Sequence, residues 1–389
     1  MTLRIAYITD EELPNKDASA IQIVHTLSAL ARAGAQVDMI FPVRPALVDA
    51  QDRLRQGLID HFHAECGFGL LPLPTRQGSR LAVKTLHGLL ATQTVLRGAW
   101  DVIYTRNLIP ILPLLAAGRD LVFETYRPLT RQYPAARPAL NAVARSSHFL
   151  GLITHSQFAR NAFVAHGLPA EKVRTVYNGF DPQAFAVKRT PSEARKRLGW
   201  AERPTVVYTG RLAPVKNTGL LLDAAAATPQ AQWVLVGTHD TDEARPYADR
   251  ARAMGHVALP GYLTGEALTL ALQAADVLVI PPSADPLEVH GTTVLPIKMF
   301  TYLAAGRAIV AGDLADAREL LIEGETARLV LPDSVEALAT AISALVADES
   351  LREHLAAGAR RRCLDLTWDA RARHILEFLE ERRQAARRA

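Results

Sequence analysis

Cysteine is nearly absent: the 389 residues hold two, Cys66 and Cys363, far apart in the chain. That excludes a disulfide framework and a thiolate zinc cluster, and it fits a reducing compartment. Aromatic residues are scarce at 6% and interleave with no Lys/Arg run, so nucleic-acid binding is not expected. No apolar run reaches the roughly 18–20 residues that span a bilayer, and the N-terminus runs straight into a strand pattern, so neither secretion nor membrane spanning is expected. A cytoplasmic protein is therefore expected. Glycine is missing where a dinucleotide fold needs it: Thr9-Asp10-Glu11-Glu12-Leu13-Pro14-Asn15-Lys16 follows the first strand, with no glycine before Gly34. Those carboxylates would also repel a pyrophosphate. No glycine is followed by Lys-Ser or Lys-Thr, so a P-loop is absent too. Asp240-Thr241-Asp242 is an Asp-x-Asp pair of a kind common in polar loops, and no metal and no cofactor are expected.

What is present is apolar material, 49% of the chain against 22% charged residues, in a length that suggests two domains. The net charge of +4 hides an asymmetry. Residues 1–190 carry 21 Lys and Arg against 14 Asp and Glu, and the remainder carries 23 against 26. A basic first half attracts a phosphorylated or otherwise anionic partner.

Short apolar runs alternate with helical patterns. In the first half the predicted strands are Leu3–Ile8, Gln36–Phe41, Val102–Tyr104, Leu121–Glu124 and Gly151–Thr154, with amphipathic stretches such as Ala20–Ala33 and Leu81–Arg97 between them. The rhythm restarts with Thr205–Tyr208, Gln232–Val236, Val257–Pro260, Val277–Pro281, Ala308–Ala311 and Ala327–Leu331, separated by helices that include Thr218–Ala226 and Ile297–Ala305. Repeated β-α-β units imply an α/β protein of two Rossmann-like, doubly wound parallel sheets facing a cleft. The first domain is expected over residues 1–181, a polar linker with Pro182 and Pro191 over 182–192, and the second domain over 193–367. Residues 368–389 form a charged helix with Ile375, Phe378 and Leu379 on its apolar stripe, expected to pack back on the first domain. Ligands of such sheets sit at the carboxyl ends of the strands.

One motif follows the first strand of the second half directly, Tyr208-Thr209-Gly210-Arg211-Leu212-Ala213-Pro214-Val215-Lys216-Asn217. Gly210 lets backbone approach a ligand closely, and Arg211 and Lys216 supply a rigid fork and a point charge suited to a diphosphate. Surface pairing of Arg211 and solvation of Lys216 would account for them equally well. Farther on, a polar loop enters a helix with Pro296 at its first turn, and the helix N-terminus near Leu295 offers N–H groups and a positive dipole end to an anion. Thr293 and Val294 line the approach, and Glu288 and His290 precede it, either beside a donor or on a surface loop. In the first half, His155 at a strand end either faces the cleft or is a hydrogen-bonded structural histidine. Glu124 either orients the loop of Tyr126 or caps a turn.

Together these blocks resemble the retaining GT-B glycosyltransferases of the family 4 type. Thr175-Val176-Tyr177-Asn178-Gly179-Phe180-Asp181 is similar to the Val-Pro-Asn-Gly-Val-Asp that closes the first domain there. The Gly-Arg-Leu and Lys-Asn pieces resemble the family's phosphate motif, Gly306-Arg307-Ala308-Ile309-Val310 its Gly-x-Pro-Val, and the tail around Thr367-Trp368 its closing helix. The chain also departs from the pattern. The family's two glutamates, eight positions apart, fall at Thr293 and Thr301, and the second of them usually holds the donor ribose. A histidine often found beside the reacting sugar is Tyr126, and a glycine pair in the first loop is replaced by Asp17-Ala18-Ser19-Ala20.

The resemblance implies a metal-independent hexosyltransferase that moves a sugar from a nucleotide diphosphate-sugar with retention. Arg211 and Lys216 would act on the leaving diphosphate, and Gly210, Thr293, Val294, Leu295, Thr301, Glu288 and His290 would contact the donor. Tyr126, Glu124 and His155 would lie on the acceptor side, with an anionic or lipid-linked acceptor and peripheral contact at the inner membrane face. A nucleotide-sugar epimerase or a non-catalytic nucleotide-sugar binding protein would use the same cleft.

Overall fold

The computed structural model describes residues 2–75, 79–281, 283 and 295–388. It forms two compact units, Met1–Gly179 with Trp368–Ala389, and Phe180–Thr367.

The first unit is built on seven parallel strands: β1 (Arg4–Ile8), β2 (Gln36–Val43), β3 (Gly69–Pro74), β4 (Val102–Thr105), β5 (Leu121–Thr125), β6 (Phe149–Thr154) and β7 (Val173–Thr175). Their order is β3-β2-β1-β4-β5-β6-β7, so the winding reverses between β1 and β4. Two of these strands are not evident in the periodicity. β3 carries Pro72 and Pro74, which a strand tolerates at the sheet edge where it lies. β7, at the opposite edge, has three residues, too short to show a period.

The second unit holds β8 (Thr205–Thr209), β9 (Gln232–Val236), β10 (Val257–Gly261), β11 (Val277–Val279), β12 (Ala308–Gly312) and β13 (Arg328–Val330). They are ordered β10-β9-β8-β11-β12-β13, all parallel. This is the doubly wound order with its switch point between β8 and β11. The central strands are apolar throughout, as in Val206, Val207, Leu278 and Val279, because helices cover both faces.

The segment expected as a linker is tied into the second unit instead. It holds a 3-10 turn, Pro182–Phe185, and the first residues of the helix Pro191–Leu198. Gln273 donates to the Val187 carbonyl at 2.8 Å, and Arg307 donates to the Arg189 carbonyl at 2.6 Å. Backbone carbonyls in an aperiodic segment still need donors, and two long side chains of the second unit supply them.

The closing helix, Trp368–Arg388, belongs to the first unit. Trp368, Ile375, Phe378 and Leu379 join the core beneath the helix Ala18–Arg32. Its Arg371, 2% exposed, donates to the carbonyls of Val176 at 2.7 Å and Tyr177 at 3.1 Å, to Thr26 Oγ1 at 2.9 Å and to the Glu124 carboxylate.

Candidate donor and acceptor sites

In the second unit the chain leaves β8 at the switch point. The Thr209 N–H donates to Tyr302 Oη at 2.8 Å, which joins the strand end to the helix Ile297–Ala305. Gly210 follows with φ +147°, where a Cβ would stand 2.5 Å from Tyr208 Oη and 2.8 Å from Lys298 Nζ. Only glycine fits that gap. Opposite it, a Cβ on Gly237 would stand 2.0 Å from the Gly210 carbonyl oxygen. The loop then turns through Pro214–Lys216 into the helix Thr218–Ala227. Tyr208 Oη donates to the Arg211 carbonyl at 3.2 Å and so fixes the loop's course.

Three cations gather here. Arg211 and Lys216 are exposed, and Lys298 Nζ lies over the Tyr208 ring, 4.1 Å from its centroid. Burial first, and Lys216 second, bring the Lys298 ammonium down to about 7. Partial desolvation, then Arg211, pulls Lys216 below the ordinary lysine value. Among the described residues none of the three is paired with a carboxylate. Crowding of like charges in this way lowers the lysine values and makes the loop a candidate seat for an anion.

The expected donor residues are partly placed. Gly210, Arg211 and Lys216 share one loop. Leu295 is buried just ahead of the helix Ile297–Ala305, whose start no side chain caps. Thr301, one turn beyond Lys298, donates its hydroxyl to the Lys298 carbonyl at 3.0 Å. Glu288, His290, Thr293 and Val294 lie outside the described residues. Sequence reasoning missed Lys298, although a lysine inside the apolar run Leu295–Leu303 was a signal.

In the first unit Glu124, at the end of β5, is 1% exposed. Its Oε1 accepts from His155 Nε2 at 2.7 Å, from Gln22 at 3.3 Å and from Arg371, and its Oε2 accepts from Tyr7 at 3.3 Å. Burial favours the neutral acid, but Arg371, His155 and Arg106 outweigh it and hold the carboxyl well below the usual range. Burial lowers His155 to about 4, so the imidazole is neutral and its Nε2–H donates to the carboxylate. Glu124 and His155 are thus bonded to each other inside the unit, and the His155 ring lies beside that of Tyr126, their centroids 6.3 Å apart. Of the acceptor-side candidates, half-buried Tyr126 is left at the surface, its hydroxyl bonded by Arg127 at 3.2 Å. Arg106, at the switch point after β4, donates to Gln22 at 2.5 Å.

Among the described residues no group of His, Cys, Asp and Glu is arranged to hold a metal ion, and none of the helices is long and apolar enough to cross a membrane.

Residues 203–348 match the family model for glycosyl transferases group 1, and residues 19–184 match that for glycosyltransferase family 4. The GDP-mannose-dependent alpha-(1-6)-phosphatidylinositol monomannoside mannosyltransferase of Mycolicibacterium smegmatis is 27% identical over 267 residues, 65% of this chain and 67% of that protein. The phosphatidyl-myo-inositol mannosyltransferase of the same organism is 27% identical over 301 residues, 74% of this chain and 72% of that protein. In fold, HepE of Anabaena, solved with UDP and glucose, superposes with a TM-score of 0.74 at 20% identity, over 97% of this chain and 100% of that one. Two family models that between them take in most of the chain, and the doubly wound pair of sheets they fall on, make this chain a member of the group 1, family 4 glycosyltransferases with the GT-B fold.

Proposed function

We propose that this glycosyltransferase takes a hexose from a nucleoside diphosphate sugar, places it on a lipid-linked or otherwise anionic acceptor with retention of configuration, and needs no metal ion. The observation that carries the reading is the trio Arg211, Lys216 and Lys298 at the switch point, unpaired among the described residues. As the sugar–phosphate bond breaks, negative charge grows on the diphosphate, and three fixed cations stabilise it without reorganising. The acceptor hydroxyl attacks the anomeric carbon on the face the phosphate leaves. Its proton passes to the departing phosphate oxygen, so no histidine at position 126 is required. The name of the first relative favours GDP-mannose as the first donor to try, and the names of both favour a phosphatidylinositol lipid as the first acceptor. Calorimetric titration with GDP-mannose, UDP-glucose and ADP-glucose, followed by NMR of the anomeric centre in the product, tests donor and stereochemistry together. Turnover undiminished in EDTA is expected; its loss, restored by magnesium or manganese, would remove the metal-free reading.

The lowered Lys298 makes donor binding depend on pH. A nucleoside diphosphate sugar has no phosphate group titrating between pH 7 and 9, so the protein supplies the effect. The bound anion favours charged Lys298, and affinity is expected to fall as pH rises through about 7, approaching tenfold per pH unit well above it. Lys298→Met should bind more weakly at pH 6.5 and lose most of the slope. An unaltered slope in that variant would take Lys298 out of the donor site.

Thr301→Glu restores the family's usual carboxylate. If the ribose lies beside that turn of helix, the charged acceptor should tighten donor binding by about tenfold. Weaker binding by a protein that still folds would show that Thr301 makes room for something else.

A further inference from the structure

The carboxyl ends of β4 and β5, neighbours in the first sheet, are followed by three arginines, Arg106 after β4 and Arg127 and Arg131 after β5. Ligands of doubly wound sheets gather at such strand ends. Between Glu124 and Glu171 the chain has no Asp or Glu, while five arginines fall there. Two of them are engaged by the fold: Arg137 donates to the Thr130 carbonyl at 2.7 Å, and Arg160 to the Val173 carbonyl at 3.0 Å. Arg127 and Arg131 are exposed. Among the described residues neither they nor Arg106 forms an ion pair with a carboxylate.

Each guanidinium is held on one side. Arg127 lies over the Tyr126 ring, 5.4 Å from its centroid, and its Nε donates to Tyr126 Oη at 3.2 Å. Its two Nη groups have no partner among the described residues. The loop that presents it is tied down as well, since the Arg127 N–H donates to Thr125 Oγ1 at 3.1 Å and the Leu129 N–H to the Arg127 carbonyl at 2.9 Å. Arg131 lies over the Phe158 ring, 5.4 Å from its centroid. Half-buried Arg106 donates to Gln22 Oε1, and Gln22 is fixed in turn by donating to Thr26 at 3.1 Å and Glu124 at 3.3 Å. A guanidinium stacked on a ring keeps its planar fork for a phosphate. β1 lies on the other side of β4, and two of the three acids that follow it have cations of their own. Asp10 pairs with Lys84 at 2.7 Å and Glu12 with Arg44 at 3.5 Å, while Glu11 accepts from Ser19 Oγ at 2.8 Å.

We propose that Arg127 and Arg131, with Arg106 at the neighbouring strand end, hold a phosphate group of the acceptor, and that Tyr126 is the positioning residue that aims Arg127. The inference rests on the anionic-acceptor reading above and gives that anion a seat on the first unit. It also gives Tyr126 a task other than proton transfer, because a histidine there would offer Arg127 a smaller ring and no hydroxyl.

The test is calorimetric titration of the full chain, without donor, with glycerophosphoinositol, inorganic phosphate and myo-inositol. A phosphate-bearing probe is expected to bind at least about tenfold more tightly than myo-inositol. Preference for the diester makes a lipid headgroup the source, and equal binding of inorganic phosphate makes it a free phosphate. The double variant Arg127→Met, Arg131→Met should weaken that binding by about 10²-fold at an unchanged melting temperature, since both side chains are exposed, and Arg127→Lys should lose less than Arg127→Met. Tyr126→Phe keeps the ring and should cost about threefold, whereas Tyr126→Ala should cost about tenfold. No binding of either phosphate by the parent chain would overturn the proposal, as would equal binding by the double variant. Binding lost in Arg211→Ala, Lys216→Ala instead would place the anion in the diphosphate seat and overturn it too. Parental kcat/KM for a lipid acceptor in the Arg127→Met, Arg131→Met variant would remove this seat and leave the acceptor reading standing. Phosphate binding that depends on the two arginines, in a protein that turns over no anionic acceptor, would do the reverse.

Discussion

Arg211→Ala and Lys216→Ala are each expected to lower kcat/KM by about 10²–10³-fold, the scale on which removing one preorganised charge from a developing oxyanion is felt. The effect should lie mainly in kcat, because the diphosphate gains charge as the bond to sugar breaks. Both side chains are exposed and carry no structural ion pair among the described residues, so the fold should survive either change. Release of free nucleoside diphosphate, measured alongside circular dichroism, separates chemistry from unfolding. Full turnover in both variants would dissolve the diphosphate seat. The double variant should lose less than the product of the single losses, since the two cations act on one anion and already repel each other.

Arg371→Met should cost the first unit about 3–5 kcal/mol, because it leaves the Glu124 carboxylate buried without its guanidinium. The same change releases the carbonyls of Val176 and Tyr177 and unlatches the closing helix from β5. Denaturant unfolding reads the loss, and faster hydrogen exchange over residues 368–388 locates it. Adding Glu124→Leu should return much of the stability, since an apolar pair replaces an orphaned charge. A loss below about 1 kcal/mol would mean that water reaches the carboxylate. Acid acts on the same cluster. Glu124 is held below its unfolded value, so its contribution is present above about pH 4.3 and disappears as pH falls through the folded value. His155, lowered to about 4, adds to the loss between about pH 6.5 and that point.

Much of the architecture was legible because buried parallel strands declare themselves as apolar runs bounded by turns. Val206–Tyr208 and Ala308–Ala311 are of that kind, and they appear where expected. β3 was not, since Pro72 and Pro74 argue for a turn unless the strand is known to lie at an edge. The polar residues 182–192 read as a linker because composition records a lack of periodicity, and cannot record that Gln273 and Arg307, remote in sequence, satisfy their carbonyls.

By itself the sequence determined the α/β class, the two doubly wound sheets, and the local chemistry of Gly210, Arg211 and Lys216, because strand burial and loop charge are properties of neighbouring residues. Only the tertiary structure decided which distant side chains meet. It brought Lys298 over Tyr208, closed Arg371 on Glu124 across most of the chain's length, set His155 against the Glu124 carboxylate, and left the leucines of the helix Arg80–Arg97 exposed. Those outcomes depend on through-space packing and on which charges are desolvated together, and neither is encoded in the spacing of residues along one strand or helix.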